Sequence, residues 1–372
     1  MTEIKPFRID IPQADVDDLN RRLAGVRWPD EPPGIGSARG LPLANTRDLA
    51  EYWRATFDWR AQEARLNAVP QFTTDIDGQT FHFVHVRSGR PDALPVLLTH
   101  GWPSLFVELL GLVEAGFDVV IPSLPGFGFS NPVRETGWGN LFRLAAAFAE
   151  LMTRLGYERF AAHGGDVGAG VTGMLPMVAP GRVVATHVNG PGPYPFGPPV
   201  DTEGLNKADT VRAERFNQIQ RDGLGYLHLQ STRPATLAYA LTDSPVGQLA
   251  WVAEKFTDWT EVDVPVEDLL TIVSLYWFTR SGASAAHFTY EGMQAFRAFV
   301  EQTGAATDGT LAAGDVPVGV AVFATDNSIR SLVDPTGVAA RWTEFDRGGH
   351  FPALEVPDLL AGDLREFFGA YR

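Results

Sequence analysis

Residues 159–170 read RFAAHGGDVGAG, an apolar run that stops at a histidine and then sets one carboxylate, Asp166, among glycines. The run has the length of a buried strand, and the residues after it, VGAGVTGMLPMV (167–178), read as a helix. Asp166 therefore falls in a strand-to-helix turn. Gly164, Asp166 and Gly168 are spaced as G-x-D-x-G. A strained turn that pushes one side chain outward leaves no room for side chains at its flanks, which is a steric reason for glycine there. Two readings are open on this motif alone: Asp166 as an exposed nucleophile, and Asp166 as an ordinary cap of the helix that follows.

Outward from this turn the same punctuation recurs. PVLLTHGWP (95–103), FDVVIPSLPGFGFS (117–130), VVATHVNGPG (183–192) and VPVGVAVFATD (316–326) are short apolar runs ended by glycine or proline. Helical patterns such as LFRLAAAFAELMTRL (141–155) lie between them. This predicts an α/β fold, with strands buried on both faces of a mostly parallel central sheet flanked by helices. Sheets of that kind place their sites beyond the carboxyl ends of the strands. Between 191 and 314 the strand pattern gives way to helical patterns rich in aromatics, beginning with the proline-rich loop PGPYPFGPP (191–199).

The first ninety residues show a helical pattern at 15–23, a break at RWPDEPPG (27–34), and a second helical stretch at 46–69. In that stretch Leu49, Tyr52, Trp53 and Phe57 have helix-like spacing, suited to packing on a larger body. Residues 71–86 read as a β-hairpin turning at Asp77–Gly78. His82 and His85 fall on opposite faces by the period of two, which argues against a shared metal site. The expected organisation is an N-terminal segment (1–90) packed on an α/β core (91–190 and 315–372), with a helical cap (191–314).

Composition bounds the function. The formal charge of −15 disfavours nucleic acid and anionic membrane as partners. The absence of cysteine excludes disulfides, thiolate metal sites and a thiol nucleophile. No phosphate-binding glycine loop is found, and no metal or cofactor is called for. The N-terminus lacks the pattern of a signal peptide, and the apolar runs are far shorter than the roughly 20 residues that span a bilayer, so a cytoplasmic protein is expected.

The remaining chemistry gathers at strand ends. Asp326 closes the run VAVFATD, a position from which a carboxylate can orient a histidine. In DRGGHFPALEVPDLLAGDLREFF (346–368), His350 stands on a loop after two glycines. Asp166, Asp326 and His350 come in the order nucleophile, acid, histidine, which is the α/β-hydrolase order. Asp346 is too close to His350 in sequence to be favoured as its partner, and Asn189, after VVATHV, cannot act as a carboxylate. In HGWP (100–103) the Trp102 N–H, together with that of Val167, can point at a developing oxyanion, and His100, Trp102 and Pro103 can line the pocket. A plain turn is the competing explanation of HGWP.

The motifs HGWP, IPSLPGFGFS (121–130), GGDVG (164–168), STRP (231–234) with LTDSPVGQLAW (241–251), and DRGGHFPALEVPDLL (346–360) resemble those of the α/β-hydrolase-fold epoxide hydrolases of the microsomal type. RWPDEP (27–32), FDWRAQEARLN (57–67) and PQFTTDIDG (70–78) resemble the N-terminal meander of that branch. The likeness runs over nearly the whole chain and keeps the motifs in order. Unlike the membrane-anchored mammalian members, the chain looks like the soluble bacterial ones.

The resemblance implies a small-molecule epoxide and water as substrates. Asp166 would attack an epoxide carbon to give an ester, where serine would give an ether with no way off. His350 would activate the water that hydrolyses the ester, and Asp326 would orient His350. Tyr226 falls on the family's first tyrosine position, the acid for the epoxide oxygen. The second acid normally lies in an R-x-Y-x-E stretch, and HFTYEGM (287–293) puts Thr289 there with Tyr290 next to it. One residue on a helix is a rotation of about 100°, so either a backbone shift restores Tyr290 or Tyr226 acts alone.

Val167 stands where many members carry tryptophan, which makes the pocket wall smaller. Detoxification and secondary metabolism both fit such an enzyme, and a homodimer is allowed. Two other functions share part of this pattern. A haloalkane dehalogenase uses the same aspartate turn but holds halide with an indole beside the nucleophile, which Val167 cannot supply. A non-catalytic ligand-binding protein would have no need of Asp166, Asp326 and His350 together.

Overall fold

The computed structural model of the protein describes residues 3–192, 197–303, 311 and 314–371. Part of the predicted proline-rich loop, 193–196, and the end of the predicted insertion, 304–310, lie outside the described residues.

The N-terminal segment is built as β1 (Lys5–Phe7), α1 (Gln13–Ala24), α2 (Leu43–Ala55), α3 (Trp59–Leu66), β2 (Gln71–Ile76) and β3 (Gln79–Val86). The hairpin turns at Asp77 and Gly78, both at positive φ, the backbone a tight two-residue turn requires. The helical stretch expected over 46–69 is two helices instead of one. The chain breaks at residues 56–58, where the Asp58 carboxylate caps α3 by accepting the Ala61 N–H at 3.1 Å.

The core follows with β4 (Pro95–Thr99), β5 (Asp118–Pro122), α4 (Leu141–Arg154), β6 (Phe160–Gly164), α5 (Val167–Val178) and β7 (Val183–Asn189). Among the described residues nine strands form one sheet in the order β1-β2-β3-β5-β4-β6-β7, closed by β8 (Val318–Val322) and β9 (Arg341–Glu344). Pairings from β5 through β9 are parallel, and β1, β2 and β3 add on antiparallel. The edge strands β1 and β9 had no apolar run to announce them, because edge positions are half-exposed.

The strand order places the site. From β4 the chain goes to one side for β5 and then crosses to the other for β6. The carboxyl ends of β4 and β6 are therefore neighbours at the point where the winding reverses, where α/β sheets open a crevice. HGWP leaves β4 there, and Asp166 leaves β6 there.

Between β7 and β8 lie α6 (Lys207–Gln218), α7 (Gly225–Thr232), α8 (Pro234–Asp243), α9 (Pro245–Trp259), α10 (Val266–Phe278) and α11 (Ser281–Thr303). The tail adds α12 (Arg330–Val333), α13 (Pro352–Glu355) and α14 (Pro357–Phe368). The N-terminal helices pack largely on the inserted ones. Trp53, 2% exposed, donates its indole N–H to Ser274 Oγ on α10 at 2.9 Å, Tyr52 reaches Glu267, and Arg65 pairs with Asp268. The buried Trp53 indole thus has its N–H satisfied across the boundary, and the aromatic stripe of α2 holds the insertion as well as the segment that carries it.

Candidate active site

Asp166 occupies the turn between β6 and α5 with φ 51° and ψ −126°. Its flanks have no room. A Cβ on Gly164 would sit 2.3 Å from the Gly168 carbonyl group, and one on Gly168 would sit 1.9 Å from the Thr99 oxygen. A Cβ on Gly165 would press the Asn189 amide at 2.7 Å, and one on Gly101 would strike the Asp166 carboxylate at 2.3 Å. The contacts at Gly164 and Gly168 are with backbone and cannot be relieved by turning a side chain, while those at Gly101 and Gly165 are with the side chains of Asp166 and Asn189.

Although Asp166 stands at the cap position of α5, its carboxylate caps nothing there. Instead Oδ1 accepts the Trp102 N–H at 2.9 Å, and Oδ2 lies 3.7 Å from His350 Nε2. The cap alternative for Asp166 fails on that geometry. Val167 opens α5 beside it, half-buried.

His350 is fixed by its backbone. Its N–H donates to the Trp259 carbonyl at 2.9 Å, and the Trp259 ring lies 4.8 Å from the imidazole. Gly349 allows this approach, since a Cβ there would meet the Trp259 oxygen at 2.4 Å. The histidine loop is thus pinned to the end of α9. Asp326 lies in the loop beyond β8, which ends at Val322 rather than running to the aspartate. The Ser328 N–H and hydroxyl both donate to its Oδ1, at 2.8 and 2.7 Å, and Arg215 of α6 donates to the carbonyls of Ala324 and Asp326. Burial pushes the Asp326 carboxyl above its usual range, against the Ser328 hydrogen bonds and the attraction of His350.

The structure places the HGWP residues differently from one another. Trp102 faces the site. His100 is buried and ties two loops, donating from Nδ1 to the Gly101 oxygen at 3.1 Å and accepting the Leu124 N–H at Nε2 at 3.3 Å. This assignment of the tautomer follows from Leu124 being a donor. Burial holds the His100 imidazole down to about 4, so it stays neutral. Pro103 is buried behind the loop.

From the insertion, Tyr226 stacks on Trp102 with ring centroids 4.8 Å apart and 8° between planes. Trp259 and Trp251 close the aromatic wall, and the buried Lys255 ammonium lies 4.8 Å from the Tyr226 ring centre. Burial, with the charge of Asp166 adding, raises the Tyr226 phenol far above its usual range, so it remains a donor. Tyr290 is 38% exposed on α11. Thr289 donates to the Ala285 carbonyl, and Glu291 accepts the N–H groups of Gly137 and Gly139 at 2.9 and 3.2 Å. Glu291 thereby ties α11 to the loop before α4.

A recess of about 10 Å³, the room one water needs, is walled by Asp166, His350 and Glu108 and backed by Gly101, Trp102 and Phe351. Glu108 was not picked out in the sequence. The signal was there, a lone carboxyl inside the apolar run SLFVELLGLV (104–113). Tyr276 was also passed over; its buried hydroxyl donates to the Ser104 carbonyl at 3.2 Å and steadies the loop after HGWP. The arrangement brings together a carboxylate, an imidazole beside it, a backbone donor on one carboxylate oxygen, and a phenol stacked on Trp102.

Residues 4–109 match the family model of the epoxide hydrolase N terminus, and residues 94–222 that of the alpha/beta hydrolase fold. The chain is 41% identical to a "Putative epoxide hydrolase" of Stigmatella aurantiaca, covering 99% of this chain and 86% of that one. It is 31% identical to epoxide hydrolase 1 of Sus scrofa, covering 98% and 88%. Among solved structures, the Aspergillus niger epoxide hydrolase superposes with a TM-score of 0.85 at 33% identity, covering 100% of this chain and 97% of that one.

Proposed function

The chain belongs to the epoxide hydrolases of the α/β-hydrolase fold, and on that premise we propose that it makes a vicinal diol through an ester on Asp166, hydrolysed by a His350-activated water. The observation that carries this reading is the division of labour between the two carboxylate oxygens. Oδ1 is held by the Trp102 N–H, while Oδ2 lies toward His350 and the recess.

In the first step Oδ2 attacks an epoxide carbon, the carbon–oxygen bond opens, and the Tyr226 hydroxyl gives its proton to the leaving oxygen. In the second, His350 takes a proton from water as the water adds to the ester carbon. Negative charge then builds on Oδ1, where the Trp102 N–H already points and the Val167 N–H supplies a second donor. Asp326 steadies the imidazolium. The inserted helices, residues 191–314, act as a cap that supplies Tyr226 and the aromatic wall, and that wall suits an epoxide with an apolar substituent. No metal or redox cofactor enters these steps. Among the described residues no helix is long and apolar enough to cross a membrane.

A single turnover of styrene oxide in heavy-oxygen water tests the route. Water adds to the carboxyl carbon, so the label is expected in Asp166 and not in the diol. Label entering the diol in that first turnover would mean direct attack of water on the epoxide.

The tyrosines divide on the same geometry. Tyr226→Phe is expected to slow ester formation by about 100-fold, the usual share of a positioned acid. Tyr290→Phe should leave it within about threefold, since its ring stands at the exposed surface. Pre-steady-state rates of ester formation decide it, and equal losses in the two variants would return Tyr290 to the site.

A further inference from the structure

The 3₁₀ helix Phe106–Leu112, which follows HGWP, buries one carboxyl, Glu108, to 8% exposure. Among the described residues no lysine or arginine forms an ion pair with it. Its surroundings make it an acid rather than a carboxylate. Burial pushes its pKa up to about 8; a Ser104 hydrogen bond opposes this, while the charges of Asp166 and Glu355 add to it. A carboxyl kept without a cation in an apolar helix costs stability, and such groups concentrate where chemistry uses them. The recess it shares with Asp166 and His350 has room for one water.

We propose that Glu108 is a positioning residue for the hydrolytic water, its carboxyl oxygen accepting the water hydrogen that His350 does not take. The proposal rests on the Asp166 ester and deepens it. With one hydrogen directed to His350 Nε2 and the other to Glu108, the water lone pair faces the ester carbon of Asp166. As the new carbon–oxygen bond forms, the first hydrogen passes to His350. Collapse breaks the bond between the ester carbon and Oδ2, and the departing alkoxide takes that proton back from His350. The second hydrogen stays on the regenerated carboxyl and leaves as Asp166 ionises, and through solvent it replaces the proton that Tyr226 gave to the epoxide oxygen. Because Glu108 itself is neutral, it adds no negative charge beside the oxyanion.

The test separates the two half-reactions with styrene oxide, following the ester by intact mass after acid quench. Glu108→Leu is expected to form ester within about threefold of the parent rate but to hydrolyse it about 100-fold more slowly, the cost of a misplaced reactant. Ester should then accumulate at steady state. Glu108→Gln keeps a neutral carbonyl acceptor in place and should restore hydrolysis to within about fivefold.

Should the leucine variant fail to fold, Glu108→Asp draws the same group back by one carbon, and a selective loss of hydrolysis is again expected. Equal losses in both half-reactions would assign Glu108 a structural role and overturn the proposal, as would unchanged hydrolysis. A glutamine variant as slow as the leucine one would also overturn it. Ester in the parent and in His350→Ala, with hydrolysis unaffected by Glu108 variants, removes only the role of Glu108. Absence of ester in all of them removes the ester route and this role with it.

Discussion

Asp166→Ala leaves a folded protein whose diol production falls by about 10⁴-fold or more, a loss of roughly 5.5 kcal/mol in transition-state stabilisation. The size follows from there being no substitute. The chain has no cysteine, and among the groups walling the recess only Asp166 combines an unblocked carboxylate oxygen with a backbone donor on the other. Burial pushes the Glu108 carboxyl up to about 8, which makes it a poor nucleophile at neutral pH. Alanine is the better replacement than asparagine, because an amide at this position can be hydrolysed back to aspartate by the same water. Residual turnover above one part in a thousand would show that the carboxylate is not the nucleophile.

The same position carries a stability test. At φ 51° and ψ −126° a residue with a Cβ is strained, by about 1–3 kcal/mol in such regions, and glycine is not. Asp166→Ala and Asp166→Gly lose the same carboxylate and the same Trp102 hydrogen bond. Their difference therefore isolates the backbone. Glycine is expected to be the more stable of the two by about 1 kcal/mol or more, read from urea denaturation of both variants. Equal stability would mean that the turn is not strained and that the aspartate is exposed by its neighbours alone.

Much of this turn was legible because its constraints are local. G-x-D-x-G is a steric statement about residues that touch, and the structure turns each glycine into a named contact with Thr99, Gly168 or Asn189. The buried strands were legible for a similar reason, as each is an unbroken apolar run. What escaped depends on residues far apart in the chain. The break between α2 and α3 lies inside a continuous helical pattern; Asp58 caps α3 there, while Trp53 and Trp59 pack against the inserted helices. Edge strand β9 carries no apolar run.

Glu108 escaped because a single carboxyl in an apolar stretch looks like a solvated position until the fold turns it toward Asp166. Asp326 was expected at the end of its strand, and β8 stops at Val322, which leaves it in the loop that follows. Its Oδ1 is held by Ser328, and Arg215 from the insertion holds the loop, a contact between residues more than a hundred positions apart. The two tyrosine positions were separable in sequence only as alternatives. The Glu291 anchor on Gly137 and Gly139 fixes how α11 sits, and neither glycine lies near α11 in the chain.

His350→Ala should stop the enzyme after one turnover instead of before it. On the proposed route ester formation needs the Asp166 carboxylate and the Tyr226 proton, and neither passes through the imidazole. Hydrolysis needs a base at the recess, and His350 Nε2, 3.7 Å from Oδ2, is the group placed to act as one. The neutral Glu108 cannot replace it. Steady-state turnover is therefore expected to fall by about 10³-fold, within the range for loss of a general base, while the first equivalent of epoxide still reacts. Intact mass under denaturing conditions should show nearly every chain heavier by one substrate, with the added mass on the peptide carrying Asp166.

The backbone reason to expect a folded variant is that His350 is held through its N–H to the Trp259 carbonyl, a bond alanine keeps. An inactive His350→Ala enzyme with no adduct would place the histidine in the first step. An adduct that clears at the parent rate would mean that another base serves the recess. Either result would require a different assignment of the proton that leaves the water.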